Sequence, residues 1–247
     1  QRLTRRRLQH YAGAALLLLL LFFATQSLDA TGGTSLHSGS EAIATLLALV
    51  VSTLAFIRYA TRRETVVLFI ATGFLGTAFL DGYHALVTSA AIQPLMPSSL
   101  PSLIPWSWFA SRLFLSLFLL LGWLAIREDT GRALAPAFSP ARVLQLGTIL
   151  TAFCFLFFAL VPLPTGYFSN ALLVSRPEDL LPGLLFALGI AGYLHRGRWR
   201  SSHLEHWLIL SLIVGFGAQI LFMPFSSRLF DLPFDVAHGL KIVSYLL

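Results

Sequence analysis

Apolar stretches long enough to cross a membrane follow one another along almost the whole chain. A helix needs about 20 mostly apolar residues to cross the hydrocarbon core of a bilayer. By this measure the sequence predicts eight spans, of which the sixth and the eighth are the shortest. They lie at approximately 10–28, 38–59, 65–90, 105–126, 142–162, 179–194, 204–223 and 233–247.

The composition excludes a soluble globular protein. Charged residues make up 11% of the 247 residues and hydrophobic residues 56%, whereas a soluble domain carries about 25% charged residues. In lipid the backbone polar groups must be satisfied within each segment, which favours helices. We therefore predict an all-α integral membrane protein, a bundle of about eight transmembrane helices, with residues 1–247 as one transmembrane domain.

Arginine is concentrated in alternate connections between the predicted spans. Cytoplasmic loops of membrane proteins carry an excess of basic residues, so both termini are predicted to be cytoplasmic. The net charge of +6 is then a sign of membrane orientation, and we expect no nucleic-acid partner. The basic residues at the predicted inner ends include Arg5, Arg6, Arg7, Arg62, Arg63, Arg127, Arg132, Arg198 and Arg200.

Ionisable residues inside the spans cluster toward the predicted outer face. Such residues are costly in a membrane and usually face the protein interior or a polar cavity. Their one-sided placement predicts a site that is open to the outer side rather than a path through the membrane. They are His37 at the outer mouth of span 2 and Glu41 inside it, Asp81 and His84 in span 3, Arg112 in span 4, and Asp235, His238 and Lys241 in span 8.

These residue types indicate metal coordination. Unpaired charges in hydrocarbon cost several kcal/mol, so Arg112 and Lys241 are predicted to pair with carboxylates. Histidine and carboxylate together suit zinc or copper, and two histidines on facing helices can instead ligate haem. Two Asp-x-x-His pairs are present, Asp81 with His84 and Asp235 with His238. In each pair the carboxylate could instead orient the imidazole by a hydrogen bond. The candidate metal or cofactor ligands are His37, Glu41, Asp81, His84, Asp235 and His238.

Four stretches resemble a bacterial membrane-associated sensor domain, the third described type. They are Leu36–Glu41, Gly73–Leu86, Trp108–Arg112 and Ala237–Tyr245. The resemblance implies the multi-span input module of a histidine kinase or a cyclic-di-GMP enzyme in the bacterial inner membrane. It also implies that span 8 continues into a cytoplasmic output domain, while the sensor domain itself is not an enzyme.

The favoured hypothesis is a sensor that signals through its last helix. A metal ion, haem or another small ligand from the outer side would bind the histidine and carboxylate cluster and move span 8, which carries three of the polar residues. A ligand shifts such an equilibrium only through different affinities for two arrangements. By analogy with other signalling proteins, a homodimer in contact with membrane lipid is expected.

Two other functions fit parts of the pattern. In an intramembrane zinc-dependent lipid hydrolase, His37, His84 and His238 would bind zinc and Asp81 would position a water molecule. In a Schiff-base protein of the retinal type, Lys241, the only lysine of the chain, would carry the covalent bond, since a buried lysine suits that chemistry.

Overall fold

The computed structural model describes residues 2–28, 30–126, 139–168 and 174–247. Within these ranges the regular structure is helical, apart from one isolated bridge between Thr31 and Asp231, and the all-α prediction is confirmed. The helices are α1 (Arg2–Gln26), α2 (Thr34–Arg62), α3 (Thr65–Val87), α4 (Leu100–Ile126), α5 (Pro140–Leu160), α6 (Leu180–Arg196), α7 (His203–Gly217) and α8 (Leu232–Leu246).

Each predicted span corresponds to one of these helices. Six of them are long and apolar enough to cross a membrane: α1 to α5, and α7 with its continuation to Phe225. The other two, α6 with 17 residues and α8 with 15, match the spans that were shortest in the sequence. Arg127 and Arg132, on which part of the predicted orientation rests, lie outside the described residues, and the cytoplasmic location of the termini stays a prediction.

The helices form two compact units. In the first unit, residues 1–40 and 167–247, α7 packs against α1, α6 and α8. In the second unit, residues 41–166, α3 packs against α4 and α5. Helix α2 begins in the first unit and continues into the second.

Glycines in α3 allow the close approach of α4. A Cβ atom at Gly73 would lie 2.9 Å from Cβ of Phe118, and one at Gly76 would overlap the ring of Phe114. The two phenylalanine rings stack with centroids 4.5 Å apart and are almost fully buried. Small residues that let helix backbones approach are the usual means of packing helices in a membrane.

The start of α6 is held by a buried arginine. Nη2 of Arg176 lies 2.8 Å from Oδ2 of Asp179, and its Nε lies 3.5 Å from Oε1 of Glu178. The guanidinium group also lies 5.7 Å from the ring centre of Tyr167. Burial raises the pKa values of the Glu178 carboxyl and the Tyr167 hydroxyl above their ordinary values. Paired charges let this polar segment be buried without an uncompensated ion.

Helix α7 does not end as a regular α-helix. It continues into a π-helical turn, Ala218–Phe222, and a short 3₁₀ turn that contains Pro224. The π-helical turn packs against α8, and Oγ of Ser211 on α7 donates a hydrogen bond of 2.6 Å to the carbonyl oxygen of Ser244 on α8. Helix α8 thus packs against an irregular segment of α7. Such π-helical turns occur frequently at functional sites.

Replacing Gly76 tests the packing of α3 on α4. In Gly76→Ala the new methyl group would overlap the Phe114 ring, which cannot turn aside because it stacks on Phe118. We expect a loss of about 1–3 kcal/mol in the free energy of unfolding, measured by thermal unfolding in detergent. The control is Gly13→Ala, since nothing lies within 4 Å of a Cβ atom there. Equal melting temperatures for the two variants would contradict this packing.

Candidate functional site

The buried face of α2 is a single narrow stripe that follows the helical repeat. Opposite it, large apolar side chains such as Leu46 and Leu54 are exposed, as expected for a helix surface in lipid. The buried stripe begins with His37, which is 3% exposed, and continues one turn later with Glu41, which is fully buried. Both polar side chains therefore project from the packed side of α2. The stripe consists of His37, Glu41, Ala44, Ala48 and Ser52.

In the first unit the structure places two imidazoles side by side. The ring centroids of His37 and His238 are 4.9 Å apart, and the rings are nearly perpendicular at 78°. Phe230 and Phe234 lie against His37 with centroid distances of 5.6 and 5.4 Å, and Phe234 lies 4.1 Å from His238. Two phenylalanine rings thus pack against the pair, and both imidazoles are buried, with 3% and 2% of their surface exposed.

The hydrogen bond of His238 fixes which ring nitrogen carries the proton in the neutral form. Its Nδ1 lies 2.8 Å from the carbonyl oxygen of Phe234. Because a carbonyl only accepts, Nδ1 must donate, and the lone pair of the neutral ring is then on Nε2. This is the arrangement found for metal-ligating histidines, whose other nitrogen commonly donates to a carbonyl or carboxylate.

In the second unit His84 is held in the same state. Its Nδ1 lies 2.6 Å from Oγ of Ser107, and that hydroxyl donates its own hydrogen to the carbonyl oxygen of Leu103. The serine oxygen therefore accepts from Nδ1 of His84, and the lone pair of the neutral imidazole is on Nε2. The side chain is 1% exposed, so both its position and its tautomer are set by α4.

A buried ion pair lies one turn before His84. Nη2 of Arg112 lies 3.0 and 3.1 Å from the two carboxylate oxygens of Asp81, and Oγ of Ser111 donates a 2.6 Å hydrogen bond to the same carboxylate. The guanidinium group also lies 5.3 Å from the ring centre of Trp108. Asp81 is therefore engaged by two donors of α4.

Asp235 and Lys241 lie at different levels of α8. Asp235 is in the first turn, where a carboxylate is favoured by the helix dipole, and it lies so close to Gly32 that a Cβ atom at Gly32 would overlap Oδ2. Lys241 is 1% exposed and lies one turn after His238. Asp235 thus fixes the beginning of α8 against the segment before α2, and it is only partly buried.

The structure brings together only some of the predicted residues within each unit. His37 and His238 are in contact in the first unit, and Asp81 and Arg112 in the second. Nδ1 of His84 contacts a serine hydroxyl, and Nδ1 of His238 contacts a backbone carbonyl oxygen. At these nitrogen atoms the sequence had suggested aspartate carboxylates as the partners. The residues that are buried and of types that could hold a metal ion are His37, Glu41, His84 and His238.

The sequence interpretation assigned no role in the site to two serines of α4. Ser107 and Ser111 are spaced by four residues, as are Trp108 and Arg112, so all four lie on adjoining faces of one helix. The signal was therefore present as a polar repeat around Arg112. Isolated serines in an apolar helix are common, however, and only the structure shows that these two contact His84 and Asp81.

Comparison with known proteins identifies a family but no individual relative. A family model described as a membrane-associated sensor domain matches residues 30–247, a range that contains all four stretches on which the resemblance rests. No curated protein and no solved structure matches the chain.

The Asp81–Arg112 pair can be tested by removing the arginine alone and then by removing both charges together. Arg112→Met leaves a buried carboxylate without its cation, and breaking a buried pair in this way costs about 3–5 kcal/mol. We expect the double variant Asp81→Asn/Arg112→Met to regain part of this loss, as measured by chemical unfolding in detergent.

The matched control for Arg112→Met is Arg58→Met. Arg58 pairs with Glu64 at 3.2 Å, but both side chains are about one-third exposed, so the loss should stay below about 1 kcal/mol. If Arg112→Met costs no more than Arg58→Met, the buried pair does not hold α3 on α4.

Proposed function

We propose that this chain, which belongs to the MASE3 family of membrane-associated sensor domains, senses a transition-metal ion for a bacterial signalling protein. The family assignment confirms the prediction of a sensory input role in the membrane, and a sensor domain is not itself a catalyst. The observation that carries the metal proposal is the contact between the buried imidazoles of His37 and His238, against which two phenylalanine rings pack.

The proposed ligands are the two paired histidines, and Glu41 and His84 are kept from the sequence prediction as the further ligands. Glu41 lies one helical turn after His37 on the same buried face, and His84 is held in a metal-binding tautomer by Ser107. Imidazole and carboxylate ligands suit zinc or copper. A metal bound here would supply a strong local positive charge, which the carboxylate of Glu41 would partly offset.

The spacing of the imidazoles favours a single ion over haem. Ring centroids 4.9 Å apart in a perpendicular contact leave little room for a porphyrin, whose axial ligands lie on opposite faces of the macrocycle. Two perpendicular rings at this distance can direct one nitrogen each toward a shared ion. The absorption spectrum in the experiment below tests for haem directly.

The other polar residues have supporting roles in this proposal. The carboxylate of Asp81 is bound by Arg112 and Ser111, which keeps it in place beside His84 as a neighbouring charge. Asp235 fixes the beginning of α8 at Gly32. Lys241 is buried and is proposed to offset a carboxylate, since a buried ammonium group needs one.

Signalling is proposed to run through α8. This helix carries His238, and it packs on α7 and on the π-helical turn, a type of irregular segment that is frequent at functional sites. An ion that binds more tightly in one arrangement would shift the population toward it. The readout would be an output domain in cis, a histidine kinase or a cyclic-di-GMP enzyme, in a homodimer of the inner membrane.

Removing either paired histidine should abolish metal binding. We expect the purified protein to bind about one equivalent of copper or zinc, measured by elemental analysis and by titration, and His37→Ala or His238→Ala to lose it. His195→Ala is the matched control, because His195 is exposed. In a full-length protein with its output domain, the same two variants should lose the metal-dependent change in output activity.

Four results would contradict this proposal. Metal binding equal to that of His195→Ala in both histidine variants would exclude the pair as ligands. A Soret band in the purified protein would establish haem instead. Lipid turnover that requires zinc would establish the hydrolase, and a chromophore trapped on Lys241 by borohydride would establish the Schiff-base protein.

The hydroxyl of Ser107 should tune the affinity for the metal without being a ligand. Ser107→Ala removes the acceptor at Nδ1 of His84, and the loss of such a partner lowers metal affinity about 10- to 100-fold. The control is Ser116→Ala on the same helix, whose hydroxyl donates to the carbonyl oxygen of Leu113. Equal metal affinities in the two variants would exclude His84 from the site.

A further inference from the structure

The second unit contains a cavity between α3 and α5 that the metal proposal does not use. Its volume is about 250 Å³, slightly below the range of about 300–1,000 Å³ that is usual for ligand pockets. A ring-sized molecule would fill it. Phe79, which is 51% exposed, lies at its margin and marks an opening at the surface. The cavity is lined by Thr72, Leu75, Gly76, Phe79, Leu144, Gly147, Thr148, Thr151, Ala152 and Phe155.

Two hydroxyl groups in this lining have no hydrogen-bond partner among the described residues. They are Oγ1 of Thr72 on α3 and Oγ1 of Thr151 on α5, and the two side chains are 3% and 8% exposed. A threonine inside a membrane helix ordinarily bonds a carbonyl oxygen one turn earlier. The hydroxyl of Thr53, for example, donates to the carbonyl oxygen of Leu49 at 2.8 Å.

A buried hydroxyl without a partner is unfavourable, because it has given up its hydrogen bonds to water. Two of them line the same apolar cavity, one from each of the helices that form it. This arrangement is explained if a ligand supplies the missing partners. Hydroxyls donate and accept, and each can donate to an oxygen of a ligand that offers no hydrogen of its own.

The lining also defines the charge of the ligand. None of the ten described lining residues is ionisable, so an ion, a carboxylate or a phosphate would be buried without a counter-charge. The lining residues come from the middle of α3 and of α5, where a membrane helix passes the hydrocarbon core and lipid headgroups do not reach. A molecule that fits this lining would therefore be uncharged and dissolved in the bilayer.

We propose that this cavity is a second ligand site, which binds a small uncharged ring compound with carbonyl oxygens, of the quinone class. Two carbonyl oxygens would accept hydrogen bonds from Thr72 and Thr151. The rings of Phe79 and Phe155, at one end of the lining, provide an apolar wall for a flat molecule. This site lies within the second unit and is independent of the proposed metal.

The test is a binding titration of the whole chain in lipid nanodiscs with a short-chain benzoquinone, followed by the rise in melting temperature. The wild type should show a saturable rise. Thr72→Val and Thr151→Val, which keep the side-chain shape, should each weaken binding about tenfold. Thr53→Val is the matched control, because the hydroxyl of Thr53 lies in a membrane helix outside the cavity. The affinity of this variant for the benzoquinone should be unchanged.

An alkylbenzene of similar size is the control ligand. Without carbonyl oxygens it should bind the wild type about tenfold more weakly than the quinone does, and equally to wild type and to both valine variants. The variants should also melt no lower than the wild type without ligand, because each removes a hydroxyl that lacks a partner.

Several outcomes would overturn the proposal. One is the absence of a saturable rise with the benzoquinone. Another is an equal quinone affinity in the wild type and both valine variants. Equal affinities for the quinone and the alkylbenzene would show that the hydroxyls do not recognise carbonyl oxygens.

Discussion

The ion pair of Asp81 and Arg112 shows the constraint on which this structure depends. In a protein interior surrounded by hydrocarbon, a charge is tolerated only with a partner that offsets the loss of water. Here the partner comes from the next helix, and Ser111 adds a hydrogen bond to the same carboxylate. The pair therefore links α3 to α4 at the level where His84 meets Ser107. The same requirement that protects the charge also positions the imidazole.

Much of the architecture could be predicted because the bilayer restricts the choice. Apolar stretches of membrane length had to be helices, and each predicted span corresponds to a helix of the structure. The buried face of α2 could also be read from the spacing of His37 and Glu41 among small residues. The hydrogen-bond partners could not be predicted from the sequence. Helical spacing fixes the face from which a side chain projects, but it does not fix the group that the side chain contacts on the neighbouring helix. His84 and Ser107 are 23 residues apart.

Phe234 illustrates what the sequence could not indicate. Its carbonyl oxygen holds Nδ1 of His238, while its ring lies against His238 and His37. One residue thus sets the tautomer of His238 and packs its ring against both imidazoles. In sequence it is an ordinary apolar residue in the first turn of α8. Its contribution to a site follows from the helical turn that places its carbonyl one turn before His238, and from the position of His37, which is nearly 200 residues away.

The two proposed sites of this sensor domain would select their ligands by opposite rules. The histidine and carboxylate residues offer lone pairs and negative charge, which favour a cation, whereas the cavity offers two hydroxyls and no ionisable group, which favours an uncharged acceptor. Helix α3 carries residues of both, with Thr72 and Gly76 in the cavity and Asp81 and His84 two to three turns further along. A ligand in the cavity that displaced α3 as a whole would also displace His84, which would matter to the metal if His84 is one of its ligands. Binding at one site would then alter the affinity of the other, and thermodynamic linkage requires the effect to be reciprocal.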